Sequence, residues 1–210
     1  KVFKTFFAQT PLRESADVFI TGPGVASRFQ AFGQRFYLTD DRYFRSPPGA
    51  KDETHWGKEQ ETWLLKDLDR TDEPAWLMSG DQFFGGYHPF ESYQKDHPKN
   101  FSWMIKQLRA MKAPVVFISG DRHLIELMAI PEKWLGYPTY ELTTSAIHAK
   151  TFPGAWKETP NPLQIAGESD VHNYAIIESE VKSQRLLQFL VKAYAPQNKI
   201  IFERKLTVKR

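Results

Sequence analysis

Apolar residues in this chain fall into short blocks, and each early block runs into a polar cluster and then into a stretch with helical spacing. Phe36-Tyr37-Leu38-Thr39 predicts a short buried strand that ends in Asp40-Asp41-Arg42. A Pro47-Pro48-Gly49 loop follows, and Lys58 to Asp69 predicts a helix with Trp63, Leu64 and Leu68 on one side. The order then repeats. Ala75-Trp76-Leu77-Met78 predicts a strand ending in Ser79-Gly80-Asp81-Gln82, and a loop rich in Gly, Tyr and His runs from Phe83 to Lys99. Asn100 is placed to cap a helix whose apolar positions are Phe101, Met104, Ile105, Leu108 and Met111. Pro114-Val115-Val116-Phe117-Ile118 is the clearest strand, and it ends in Ser119-Gly120-Asp121-Arg122-His123.

The flanks read differently. The first 35 residues look aromatic and loop-like, with Phe3, Phe6 and Phe7 ahead of a Gly22-Pro23-Gly24 turn signal. After His123, strands are predicted at Leu124 to Ile130, Tyr140 to Ser145, Tyr174 to Glu178, Leu186 to Ala193 and Lys199 to Val208, with no helix separating the last three. Ala195-Pro196-Gln197-Asn198 marks a hairpin connection. Strand–helix–strand–helix–strand followed by an antiparallel run predicts a mixed sheet with helices on at least one face.

Bulk properties narrow the partners. The 210 residues suit one domain or a large piece of one, and a hydrophobic content of 41% with 14% aromatic residues supports a substantial core. The net charge of +3 is mild, and the basic residues near the end (Arg204, Lys205, Lys209 and Arg210) read as a solvated strand rather than a nucleic-acid module. Cysteine is absent, which excludes a disulfide frame, a thiolate zinc site and a thiol nucleophile. No apolar stretch reaches the roughly 18 residues of a membrane span. No signal peptide is visible, and a start at Lys1 is expected to mean that an upstream portion was removed or is carried elsewhere.

In open α/β sheets, ligands bind beyond the carboxyl ends of the strands. The three clusters after the predicted parallel strands are therefore expected to meet at one edge. Carboxylates, an imidazole and guanidinium groups in one place suit a metal ion beside an anionic substrate. Aspartate and neutral histidine hold hard or borderline metals, and the arginine fork matches phosphate oxygens. Gly120-Asp121-Arg122-His123 is the strongest cluster, because glycine permits a sharp turn and Asp121 and His123 can then face one ion. An ordinary strand-end turn with a surface Asp and His is the plain alternative.

Leu38-Thr39-Asp40-Asp41-Arg42-Tyr43-Phe44-Arg45, Trp56-Gly57-Lys58-Glu59-Gln60-Glu61-Thr62-Trp63-Leu64, Phe117-Ile118-Ser119-Gly120-Asp121-Arg122-His123 and Glu141-Leu142-Thr143-Thr144-Ser145 together resemble the alkaline phosphatase D (PhoD-like) family of calcineurin-like metallophosphoesterases, over about residues 30 to 180. The resemblance implies a four-layer α-β-β-α sandwich with mixed sheets, of which residues 1–210 would be the C-terminal portion of a single domain. It implies hydrolysis of phosphate mono- or diesters at a centre of divalent or trivalent metal ions, iron and/or calcium, in a secreted or periplasmic protein. It places Asp121 and His123 as metal ligands and Asp41 and Arg42 at the catalytic site. The family's Gly-Asp segment and Asp-Asp-His-Asp run have no counterpart here, so an upstream N-terminal half is the expected partner. Asp81 falls between the other clusters and reads as a cleft residue, not as the missing bridging ligand.

Weaker candidates near the site are Asp81, His88, Arg122, Glu126 and His172. Glu126 stands three residues after His123 and could orient its ring. His88 could overhang the cleft from its loop, and His148 is a further weak candidate. His55 and His97 read as surface residues, and Gln82 and Trp56 as cleft wall. The favoured mechanism is attack by a metal-activated hydroxide with Arg42 on the phosphoryl oxygens; the bland alternative is that Arg42 only pairs with Asp40 or Asp41. Two rival readings remain: a catalytically incomplete half that binds or assembles with an upstream metal-binding chain, and, on the strength of six tryptophans, an aromatic-lined carbohydrate binder. Core-facing positions for Trp63 and Trp76 argue against the last.

Overall fold

The computed structural model describes residues 19–210, so Phe3, Phe6 and Phe7 lie outside the described residues. Eleven strands, β1 to β11 in chain order, form two sheets among these residues. The larger has the order β1-β2-β3-β4-β5-β7-β6-β8, built from Phe19–Thr21, Ser27–Ala31, Gln34–Leu38, Ala75–Met78, Val115–Ser119, Thr139–Thr144, Ile125–Ile130 and Gln164–Glu168 respectively. Four central strands, β3, β4, β5 and β7, are parallel neighbours, with Phe36 opposite Trp76 and Trp76 opposite Val116. The strands ending near Thr39, Met78 and Ile118 therefore lie side by side with their polar ends together. The smaller sheet is antiparallel, in the order β11-β10-β9 (Lys199–Lys209, Leu186–Ala195 and Tyr174–Ser183).

Alternation along the central strands sends successive residues to opposite faces. Tyr37 meets Trp63 of helix α1 (Lys58–Leu68), and Phe117 packs on Phe83 and Phe84. On the other face Phe36 stacks on Trp76, and Trp76 meets Phe189 of β10 with ring centroids 5.1 Å apart. In β10, residues 187, 189, 191, 193 and 195 are buried and those between them are not, as a strand covering another sheet requires. The layers are thus helices, large mixed sheet and small antiparallel sheet; a second helical layer outside the small sheet is not among the described elements. Each large side chain fully buried in this core contributes about 1.5–3 kcal/mol.

Three expectations need correction. The segment before Gln34 is not loop throughout: β1 and β2 flank the Gly22-Pro23-Gly24 turn. Their period-2 pattern is hidden because Ser27 and Arg28 are buried polar residues, Arg28 being paired with Asp67. Asn100 is not the helix cap. The helix α3 spans Pro98–Ala110, preceded by the single turn α2 (Tyr93–Asp96), and starts on a proline. Its free N–H groups at Lys99 and Asn100 donate to Glu53 Oε1 from another loop, while the Asn100 amide oxygen accepts from His55 N–H and Tyr93 O–H. Finally, His55 and His97 are not surface residues; both are 0% exposed, because the loop before α1 folds under the segment carrying Tyr93.

Candidate active site at the strand ends

The turn after β3 is set by two side chains. Asp40 Oδ1 accepts the backbone N–H groups of Arg42 and Tyr43, which curls the chain at once after the strand. Gln60, from the Trp-Gly-Lys-Glu-Gln segment, accepts the Asp40 N–H and donates to the carbonyls of Asp40 and Trp56. The Asp40 carboxylate is thus committed to backbone, and it is not a partner of the Arg42 guanidinium.

Asp41 reaches the next strand. Its Oδ2 accepts from Ser79 O–H at 3.0 Å and from Asp81 N–H at 2.7 Å. Gly80 permits this approach, since a Cβ there would stand 2.7 Å from Asp41 Oδ2. One strand further, Gly120 N–H donates to Gly80 O at 2.9 Å, which brings the third cluster alongside. Asp121 and His123 both sit in the left-handed region, with φ of 65° and 54°, a conformation that non-glycine residues seldom adopt.

Arg42 ties the clusters together. Its Nη2 lies 2.9 Å from Asp81 Oδ1 and 3.7 Å from Asp121 Oδ1, its Nη1 donates to Glu91 at 2.8 Å, and its Nε is 3.7 Å from Asp41. Arg45 adds a second guanidinium, which donates to Asp81 Oδ2 at 2.8 Å and contacts Glu91 Oε1. Asp81 is fully buried; burial and the neighbouring Asp41 charge push it up to about 7, against the pull of the two arginines. Glu91 is raised by its partial burial, but the Arg45 hydrogen bond and the charge of both arginines outweigh this and hold it below the usual carboxylate range.

A histidine pair backs the cluster. His97 Nε2 faces the Ser46 carbonyl at 2.9 Å, which can only accept, so that nitrogen carries the proton. In the neutral ring its Nδ1 is then an acceptor, and His55 Nδ1–H donates to it at 3.3 Å. The lone pair of His55 is left on Nε2, which has no hydrogen-bond partner and lies 4.0 Å from Asp81 Oδ2. Burial, then the His97 and arginine charges, lower the His55 pKa well below the ordinary value and keep the ring neutral.

Two sets of side chains have donor atoms close enough to hold a metal ion: Asp41 with His55 and Asp81, and Asp81 with Glu91 and Asp121, each set within 4.8 Å. Carboxylate oxygens with at most one imidazole suit hard or borderline cations. His123 belongs to neither set. Its Nδ1 faces the Lys150 carbonyl and so carries the proton, leaving Nε2 with the lone pair.

The remaining candidates lie apart from this cluster. Glu126 does not bond His123: strand alternation turns it into a buried network, where it accepts from Gln82 and from Tyr87 O–H at 2.8 Å. His88 is buried on Gln82 Oε1 at 2.9 Å, and burial followed by the Arg122 charge lowers its pKa to about 3. Arg122 lies over the Phe90 ring at 4.8 Å, and His172 faces the Ala149 carbonyl at 3.1 Å. His148 is exposed and Trp56 is buried core. Arg45, Glu91 and His55 are the cluster members that sequence reasoning missed. Arg45 stood three residues after Arg42 in the quoted motif; Glu91 and His55 sit in aperiodic loops that carry no signal of what they face.

No family model matches the sequence, and no curated protein does. Among solved structures, that of PhoD matches with a TM-score of 0.64 at 16% sequence identity. The match covers 99% of this chain and 48% of that one, so this chain spans about half the length of the structure it matches. At this identity the likeness is one of fold: a mixed α/β architecture in which this chain corresponds to one part of PhoD, in agreement with the resemblance carried by the motifs.

Proposed function

We propose that this chain supplies part of the active site of a metal-dependent phosphoesterase, acting on phosphate mono- or diesters. The observation that carries the reading is the junction of Asp41, Arg42, Asp81 and Asp121 at the carboxyl ends of three adjacent parallel strands, in a PhoD-like fold. Residues 1–210 are read as one portion of a single metallophosphoesterase domain of the calcineurin-like sandwich type, in a secreted or periplasmic protein.

Asp121 and the lone-pair nitrogen of His123 are read as the ligands this chain offers; Asp121 has Asp81 and Glu91 beside it, whereas His123 stands outside that set. The Nδ1–H contact from His123 to the Lys150 carbonyl supports this, because a ligating imidazole is commonly held by such a bond on its other nitrogen. These side chains would hold a metal whose chemistry would be to provide hydroxide at neutral pH and to take up charge on the phosphoryl oxygens. Arg42 offers two N–H donors to those oxygens and is held in place by the buried Asp81. Asp41, through Ser79 and the Asp81 backbone, fixes the position of Asp81.

Two such ligands make a poor cage, since catalytic metals usually have at least three protein ligands, and Asp81, common to both three-donor sets, already has each oxygen on an arginine. The others are assigned to protein equivalent to the rest of PhoD. The isolated chain is therefore expected to bind Ca²⁺, Mn²⁺ or Fe³⁺ weakly and to turn over p-nitrophenyl phosphate and its bis-ester slowly, with activity appearing when that protein is present. No turnover in the combined protein would remove the enzyme reading. The alternative reading, an incomplete half that assembles with a metal-binding chain, is favoured by the match to only 48% of PhoD and would then stand.

A further inference from the structure

We propose that Arg42 and Arg45 together form a subsite for one phosphoryl group, and that the carboxylate of Glu91 sits in it as a displaceable stand-in for the anion. The proposal rests on the phosphoesterase reading and adds to it a second guanidinium and an internal competitor.

The two carboxylates on this arginine pair differ in kind. Asp81 is 0% exposed and takes one donor from each arginine, Arg42 Nη2 on Oδ1 and Arg45 Nη1 on Oδ2. It stands three residues past the end of β4 and its own N–H is fixed by Asp41, which ties it to the sheet. Glu91 comes from the opposite side, on a loop whose tip, Pro89 and Phe90, is exposed. Both of its contacts to the arginines run to the single oxygen Oε1. One anionic oxygen shared by two guanidinium groups is the arrangement a phosphoryl oxygen would adopt. Asp81 therefore holds the arginines from behind, while Glu91 occupies their open side. The Arg42 side chain is 51% exposed, which leaves this side reachable from solvent.

Displacing Glu91 needs a side-chain rotation rather than a refolded loop. Its neighbour Ser92 is fully buried and its Oγ accepts from Lys95 N–H, so the backbone beside Glu91 stays anchored. Once Glu91 turns away, Asp81 still orients both guanidinium groups. An incoming phosphate dianion gains the N–H that each arginine gave to Glu91 and meets no newly unpaired buried charge. The same site lies beside Asp121, whose Oδ1 is 3.7 Å from Arg42 Nη2, so an anion bound there would adjoin the proposed metal ligand. Carboxylic esters and neutral sugars offer no such match; a phosphoryl or similar tetrahedral oxyanion does.

Inorganic phosphate binding to the 210-residue chain, measured calorimetrically without metal at fixed ionic strength, tests this. Glu91→Gln keeps the shape and removes the competing charge, and roughly tenfold tighter phosphate binding is expected, the factor for losing one charge-assisted contact. Glu91→Ala should tighten binding as well, which guards against a change peculiar to glutamine. Arg45→Lys should weaken binding by a similar factor and cancel the gain in the double variant. Thermal melting of each variant confirms that the fold is kept. If Arg42→Lys weakens phosphate binding while the Glu91 and Arg45 variants leave it unchanged, the subsite proposal fails and the phosphoesterase reading keeps its arginine. If no variant changes phosphate binding, or none binds phosphate, the subsite proposal fails, while the phosphoesterase reading stands or falls on turnover in the combined protein.

Discussion

Nε2 of His55 and Oδ2 of Asp81 face one another 4.0 Å apart inside the protein, and in the deprotonated carboxylate both are acceptors. Two acceptors so placed call for a proton, a water or a cation between them. The tautomer of His55 is dictated two residues away in space, by the Ser46 carbonyl acting through His97. His55 is therefore expected to be neutral at pH 7, with the proton on Nδ1. Long-range ¹⁵N–¹H correlation spectra report this directly. A His55 signal that titrates near the ordinary histidine value of about 6.5 would contradict the assigned chain of donors.

Arg42 touches four carboxylates, so its replacement separates a catalytic role from a bracing one. In the hydrolytically competent protein, Arg42→Lys should lower turnover by about a hundred- to a thousandfold, roughly 2.7–4 kcal/mol, with metal content little changed. Asp121→Asn and His123→Ala should instead deplete metal. Turnover and metal content measured on the same preparations distinguish the two patterns. Normal turnover in Arg42→Lys would leave that arginine only the task of holding Asp81 and Glu91.

Glu141 provides a pH signature outside the cluster. It is completely buried, accepts the N–H groups of Phe83 and Phe84 and the Ser119 hydroxyl, and burial raises it to about 7 against those bonds. The folded protein thus binds a proton on this group more tightly than the unfolded chain does. Its contribution to stability is complete below the unfolded value near 4.5 and is lost as pH rises to about 7, a change of roughly 3 kcal/mol. Denaturant titrations across this window should show stability falling with pH, and Glu141→Gln should flatten that limb. An unchanged slope in the variant would assign the effect to other groups.

The Asp67 cluster is structural and remote from the strand ends. Asp67 accepts from Arg28 Nε at 3.0 Å and from Tyr37 O–H at 2.8 Å, and Arg35 lies 3.5 Å away, all of them buried. Asp67→Ala removes the buried carboxylate that Arg28 and Arg35 share, although Arg35 keeps Glu73 at 3.4 Å, and a loss of about 3 kcal/mol is expected. The drop in melting temperature should come with unaltered phosphate binding. A loss below about 1 kcal/mol would mean that water replaces the carboxylate there.

The sequence by itself determined the strand–cluster–helix rhythm of residues 36–119. The apolar runs at Ala75–Met78 and Val115–Ser119 are long enough to need burial on both faces, and Phe101, Met104, Ile105 and Leu108 recur at helical spacing. Since parallel strands carry their polar ends to the same edge, the meeting of Asp41, Arg42 and the Gly120-Asp121 turn followed from that rhythm. The motifs likewise pointed to the PhoD-like fold that the matched structure displays.

Only the tertiary structure decided which charges pair. Glu91 and Arg45 are 46 residues apart and lie in loops, where no periodicity says which way a side chain faces. Asp81 stood in plain view as a Gly-Asp pair. Its place at the centre depends on Gly80 allowing Asp41 within contact, a distance set between strands and not along one. His55 and His97 read as polar loop residues because hydropathy scores a residue alone. They are buried because each ring satisfies the other and the Ser46 carbonyl, and that cancellation exists only once the loops have come together.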